Sequence, residues 1–191
     1  MTLAIVRPWS AMNIESFEAT ETLKNGATVK IRAVQPDDKD RVSEAFSRLA
    51  PESVYTRFFS PKPSLSKQEL KAATKVDFEN VVALVVTITS GKKEIIIGGG
   101  RYLKTNLSSA PCSAEIAFLV EEDFQGQGIA SRILKHLAHI AREKGVSQFE
   151  ADVLEQNKAM LAVFSRSGLP IKQRCADGVV HVTMLLTSQQ E

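Results

Sequence analysis

The sequence predicts an α/β domain in which a mixed, largely antiparallel sheet is flanked by helices. Three observations predict it. Short β-branched runs recur along the chain, and turn-forming residues separate two pairs of them as hairpins. Residues 127–144 carry an apolar stripe at helical spacing. A glycine-rich loop joins the strand before that stretch to the helix itself.

Residues 1–25 mix polar and apolar side chains without a clean period. They read as an N-terminal arm, which a tail, an extra strand or an interface segment would all satisfy, and the organised domain is expected over 26–191. Residues 27–34 alternate as a strand. Pro36, Asp37 and Asp38 suit the first turn of a helix, because the ring presets φ and the acids face the positive end of the dipole. Val42, Ala45, Phe46 and Leu49 continue that helix, and Pro51 is expected to stop it. Pro61 and Pro63 break the chain again. Ser66 and Glu69 form a capping-box pattern that opens a second helix to about residue 76. Residues 81–89 and 94–102 are β-branched runs about a Ser-Gly-Lys-Lys turn. Gly98-Gly99-Gly100 in the second run marks a bulge or a close backbone approach.

Residues 104–111 form a polar loop, and 113–120 a further strand. In the long helix Ile129, Ile133, Leu134, Leu137, Ile140 and Ala141 make one stripe, and Gly145 closes it. Residues 148–154 are a strand. Asn157 caps a helix holding Met160, Leu161 and Phe164, closed by Gly168. Residues 171–175 and 179–186 pair about Ala176-Asp177-Gly178. The order is β-α-α-β-β-β-α-β-α-β-β.

Twenty-four basic against 22 acidic side chains give a net charge of +2, so nothing in the charge balance favours nucleic acid or an anionic membrane as the main partner. Two cysteines, Cys112 and Cys175, make neither a disulfide scaffold nor a zinc motif and read as reduced thiols. The N-terminus lacks a signal-peptide apolar region, and no run approaches the ~20 apolar residues of a membrane span. A cytoplasmic protein, monomeric or homodimeric, is expected. His136 and His139 stand at i, i+3 without a third ligand, so they read as a solvated helix flank, with no metal site. His181 reads as structural.

The chemistry concentrates where the strand 113–120 runs into Gln125-Gly126-Gln127-Gly128-Ile129-Ala130 and then the long helix. Glycines let the backbone approach a ligand, and first-turn N–H groups with the dipole behind them attract an anion. A pyrophosphate suits such a loop. No Walker A pattern is present, and the dinucleotide pattern would need glycine where Ser131 stands. Glu150 and Asp152 fall roughly where a ribose-binding acid would, so spacing alone leaves a nucleotide oxidoreductase open.

The same loop resembles the Q-x-x-G-x-[G/A] signature of GNAT acetyltransferases. The element order and the Asn157-containing stretch from Val153 to Gly168-Leu169 are also similar to that family. The resemblance covers about residues 27–187 and implies a GNAT fold with splayed strands at a coenzyme A site. A narrower resemblance, in Ile31-Arg32 to Asp38 and Leu49 to Phe59, is to the GNAT domain of bacterial protein-lysine acetyltransferases of the Pat type. Those domains are usually fused to an acyl-CoA-synthetase-like or cyclic-nucleotide-binding module, and these 191 residues hold neither.

The resemblance implies acetyl-CoA as co-substrate and an amine acceptor, with protein lysine, a small amine and a peptide N-terminus all open. Phe118, Leu119 and Val120 would offer backbone groups to the pantetheine arm. Gln125, Gly126, Gln127, Gly128, Ile129, Ala130 and Ser131 would hold the pyrophosphate. Asn157 and Phe164 would face the arm. Phe164 stands where many GNATs carry a tyrosine that protonates the departing thiolate, which keeps a non-catalytic acyl-CoA-binding module as the alternative. Arg132, Lys158 and Arg166 are candidates for the 3′-phosphate, and Tyr55 and Arg57 for acceptor contacts. Glu115, a carboxylate in an apolar strand, is the expected general base. An amine of pKa ~10.4 must lose a proton before it attacks, and a buried carboxylate of raised pKa would take it.

Overall fold

A computed structural model describes residues 13–105 and 112–186. The expected loop at 104–111 therefore lies mostly outside the described residues, as do residues 1–12 of the arm. The strands are β1 (Glu18–Thr22), β2 (Thr28–Ala33), β3 (Val81–Ser90), β4 (Lys93–Lys104), β5 (Ser113–Val120), β6 (Gln148–Leu154), β7 (Ile171–Ala176) and β8 (Val179–Leu185). The helices are α1 (Lys39–Ser47), α2 (Pro51–Phe58), α3 (Lys67–Thr74), α4 (Ile129–Glu143) and α5 (Lys158–Ser165). All eight strands form one open sheet in the order β1-β2-β3-β4-β5-β6-β8-β7. Only β5 and β6 run parallel; every other neighbouring pair is antiparallel. That arrangement is the expected GNAT architecture and excludes a doubly wound dinucleotide fold, which needs a parallel sheet.

Part of the arm belongs to this sheet. β1 pairs with β2 from Glu18 opposite Arg32 to Thr22 opposite Thr28, and Phe17 and Leu23 at its ends are buried in the core. The polar alternation of Glu-Ala-Thr-Glu-Thr hides such an edge strand, because only its flanking residues are apolar.

Pro51 does not simply stop a helix. α1 ends at Ser47, Ala50 is extended, and Pro51 opens α2. Proline is at home in a first turn, where its missing N–H would have no partner anyway. The glycine triplet meets its expectation. The β3–β4 register shifts between Val86 and Thr87, and a Cβ on Gly99 would stand 2.8 Å from the Leu84 carbonyl oxygen.

Two apolar layers hold the sheet. On one face the α4 stripe meets Ile31, Val82, Leu84, Ile116 and Phe118. On the other, Val42 and Ala45 of α1 pack on Val34, Ala83, Val85 and Ile96. Asp38 ties the α1 start to the sheet. It is fully buried and accepts from Arg32 Nη1 and Nη2 (2.7 and 2.8 Å), Arg41 Nη1 (2.7 Å) and the Gln35 N–H (2.8 Å). Burial opposes its ionisation, but these donors outweigh burial and hold the carboxyl below the usual range.

His136 departs from the expected solvated flank. It is buried, with Nε2 2.9 Å from Glu21 Oε1 and its ring 5.2 Å from that of Phe17, because the arm folds over α4. His181 pairs with Asp152 at 2.8 Å on an exposed face. Among the described residues no group of His, Cys, Asp and Glu is placed to hold a metal, and no helix is long and apolar enough to cross a membrane. Cys112 and Cys175 are both free thiols.

Candidate functional site

β5 and β6 stand opposite each other at only three positions: Ser113 with Gln148, Ala114 with Phe149, and Glu115 with Glu150. Beyond them β5 runs on to Val120 and β6 to Leu154 with no further pairing. The sheet therefore splays, and residues 116–120 keep β4 as partner on one side only. A cleft of about 1170 Å3 fills the gap. Its walls come from both faces of the sheet: Thr56, Arg57 and Phe58 of α2 on one side, Met160 and Phe164 of α5 on the other. The opening passes through the sheet.

One end of the cleft is the glycine loop. Gly126 and Gly128 have φ of 72° and 87°, left-handed values that glycine adopts without strain. Gly128 is the N-cap of α4 and brings no side chain to cap it, so first-turn N–H groups are left for a ligand. Gln125 pins the loop: its Nε2 donates to the Val120 carbonyl (3.0 Å) and to Ser53 Oγ (3.2 Å). Gly126, Gly128, Ile129, Ala130 and Ser131 line the cleft. Gln127 does not. It turns to the arm, where its Oε1 accepts from the Asn25 N–H (3.1 Å) and its carbonyl from the Lys24 N–H (3.3 Å).

That contact carries Lys24 to the cleft wall, beside Arg132 and Arg166. Lys24 sits in the arm that the sequence left without a role, and no local pattern marks it. Arg132 is partly committed: it donates to the Gly128 and Thr22 carbonyls and lies 3.4 Å from Glu21. Lys158 does not line the cleft and lies 3.9 Å from Glu155.

Phe118, Leu119 and Val120 line the middle of the cleft, as do Asn157 and Phe164. Asn157 also caps α5, its Oδ1 accepting from the Met160 N–H at 3.1 Å. The Phe164 ring packs 6.0 Å from Phe118 and presents no hydroxyl.

Glu115 lies at the far end, on the face shared by Ala117 and Leu119 and covered by α2. It is exposed to the cleft, so the expected burial of this carboxylate is not found. The reason is the splay itself, which ends pairing at this residue. Arg57 lines the cleft as well. Burial and the neighbouring Arg101 push its guanidinium below the usual range, and Glu115 acts in the opposite direction. Tyr55 does not line the cleft: it is 43% exposed and lies two residues from Ser53 and from Arg57, about 200° around the helix from both.

Comparison with known proteins agrees with this geometry. The acetyltransferase (GNAT) family model matches residues 50–169, more than half of the chain. Acetyltransferase PA5475 of Pseudomonas aeruginosa is 26% identical over 150 residues, 77% of each chain. Acetyltransferase Pat of Mycolicibacterium smegmatis is 30% identical over 146 residues, 76% of this chain and 42% of that longer protein. The crystal structure of the GNAT domain of S. lividans PAT is 36% identical and superposes with a TM-score of 0.79, covering 88% of this chain and 96% of that one.

Proposed function

The chain belongs to the acetyltransferase (GNAT) family, and we propose that it moves an acetyl group from acetyl-CoA to a primary amine by direct attack in a ternary complex. The observation that carries this reading is the single cleft joining the uncapped α4 N-terminus to Glu115 through the β5–β6 splay. A pyrophosphate suits the N–H groups after Gly128, with Lys24 and Arg166 close by. The pantetheine arm lies along the unpaired edge of residues 116–120, where backbone donors and acceptors otherwise face only water.

The thioester then stands between the end of that edge and Glu115. The amine reaches it from the α2 side. Glu115, open to the cleft, takes the ammonium proton directly or through one water. The nitrogen lone pair attacks the carbonyl carbon, backbone N–H groups at the splay steady the oxyanion, and the C–S bond breaks to release the CoA thiolate. No hydroxyl stands at Phe164 to protonate that thiolate. Neither cysteine lines the cleft, so the reading needs no acyl-enzyme.

Thermal shift with acetyl-CoA and with NAD(P)H, followed by transfer of labelled acetyl to an amine panel, tests the proposal. Stabilisation by acetyl-CoA together with labelled amide product is expected. Stabilisation by NAD(P)H alone would overturn it. Binding without transfer to any amine would leave the non-catalytic acyl-CoA-binding module that Phe164 favours.

A further inference from the structure

A second cavity, of about 360 Å3, lies between α1–α3 and the sheet and meets the cleft at Arg57, Phe58 and Ala117. Apolar residues make most of its wall, among them the small Ala45, Ala72, Ala73 and Ala83. Four charged residues line it: Arg57, Glu69, Arg101 and Glu121. Both carboxylates have partners. Glu69 accepts from Lys62 at 2.6 Å, and Glu121 from Arg48 at 3.2 Å. Arg57 and Arg101 have no hydrogen bond or ion pair among the described residues. The nearby arginines Arg32, Arg41 and Arg48 all have carboxylates.

Register places Arg101 beside the reaction. Arg101 stands opposite Ala117, and Leu103 opposite Glu115, so Arg101 is the diagonal neighbour of Glu115 on the same sheet face, within reach of long side chains. Arg57 comes down from α2 to the same place, its guanidinium carbon 5.1 Å from the Phe58 ring centroid. Stacking on a ring leaves the in-plane N–H donors of a guanidinium available.

We propose that Arg57 and Arg101 form an anion subsite that holds a carboxylate of the amine acceptor, which makes the acceptor class an amine bearing a carboxylate on an apolar frame. The proposal rests on the acetyl-transfer reading for the amine half. Two guanidiniums stand in one wall with no carboxylate hydrogen-bonded to either among the described residues, Glu115 being the one that register places diagonal to Arg101, and this leaves a positive excess. A carboxylate matches a guanidinium fork with two parallel hydrogen bonds and removes that excess. One small acceptor then spans the site, its amine at Glu115, its carboxylate at the arginines and its apolar frame in the cavity. The phosphates of the donor lie at the other end of the cleft, at Gly128.

Calorimetry on the CoA-saturated protein tests this without turnover. 6-Aminohexanoate is compared with hexylamine, and phenylalanine with phenethylamine. In at least one pair the carboxylate-bearing amine is expected to bind about 10- to 100-fold more tightly, the range for a lost charged hydrogen bond. Arg57→Gln and Arg101→Gln should each remove most of that preference, and Arg101→Lys, which keeps the charge but loses the two-point fork, should lower it in part and serves if the glutamine variants do not fold. Equal affinities in both pairs, binding by none of the four, or a preference that survives the substitutions would overturn the proposal. Succinyl-CoA bound more tightly than acetyl-CoA through the same arginines would also overturn it, by moving the carboxylate to the acyl group. Failure of acetyl-CoA to bind is read separately and counts against the acetyltransferase reading instead.

Discussion

Glu115 and Glu150 are the last residues at which β5 and β6 face each other, and the cleft begins where their pairing stops. The Glu115 backbone is therefore held between β4 and β6, while its side chain is open to the cleft. Glu115→Gln keeps the shape and removes the proton acceptor. Steady-state kinetics should show kcat lower by about 10²- to 10⁴-fold, while calorimetry finds the acetyl-CoA affinity kept. Undiminished turnover would remove Glu115 as the base.

Gly128→Ala puts a Cβ where φ is 87° and where the Arg132 Nη1 atom would be 2.5 Å away. The left-handed backbone costs about 1–2 kcal/mol in a non-glycine residue, and Arg132 must shift. A lower Tm by thermal scan and a roughly tenfold weaker acetyl-CoA affinity by calorimetry are expected. An alanine variant with wild-type affinity would mean that the loop does not hold the phosphates.

Lys24→Ala removes a cation beside the loop without touching the core. Its loss should weaken acetyl-CoA binding by several-fold at low ionic strength. The gap should close near 1 M salt, where the screening length is about 3 Å. Titrations at two salt concentrations decide it, and a salt-independent difference would point to shape rather than charge.

Asp38 gives the clearest pH dependence. Its folded pKa lies below the unfolded value of ~3.9, so its contribution is fully present above that value and is lost as pH falls through the lower folded one. Asp38→Asn should flatten the fall in Tm between about pH 5 and 3. Asp38→Ala leaves Arg32 with Glu94 as its carboxylate and takes the carboxylate from Arg41, and the lost charged hydrogen bonds should cost about 2–3 kcal/mol in denaturant unfolding. An acid limb as steep in the Asn variant as in the wild type would contradict this.

Much of the fold was legible in the sequence. The α4 stripe, the β3–β4 hairpin and the β7–β8 hairpin depend on spacing within a few residues, and each stands where expected. β1 was not legible, because a five-residue edge strand with polar alternation has no period of its own. α2 was hidden by Pro51, which ends one helix and opens another with equal chemical sense. In the site, the glycine loop, Glu115, residues 118–120, Asn157 and Phe164 converge on one cleft, whereas Gln127 and Tyr55 face elsewhere.

By itself the sequence determined the periodic elements and the anion-binding loop, since periods of two and 3.6 residues and a glycine's freedom at positive φ are local properties. Only the tertiary structure decided that β5 and β6 part after Glu115, that the arm brings Lys24 to the loop, and that Arg101 stands diagonal to Glu115 and close to Arg57. These are matters of register and packing between residues tens of positions apart. A one-residue slip in register would turn Arg101 to the other face, and nothing in its own neighbourhood of sequence records which way it points.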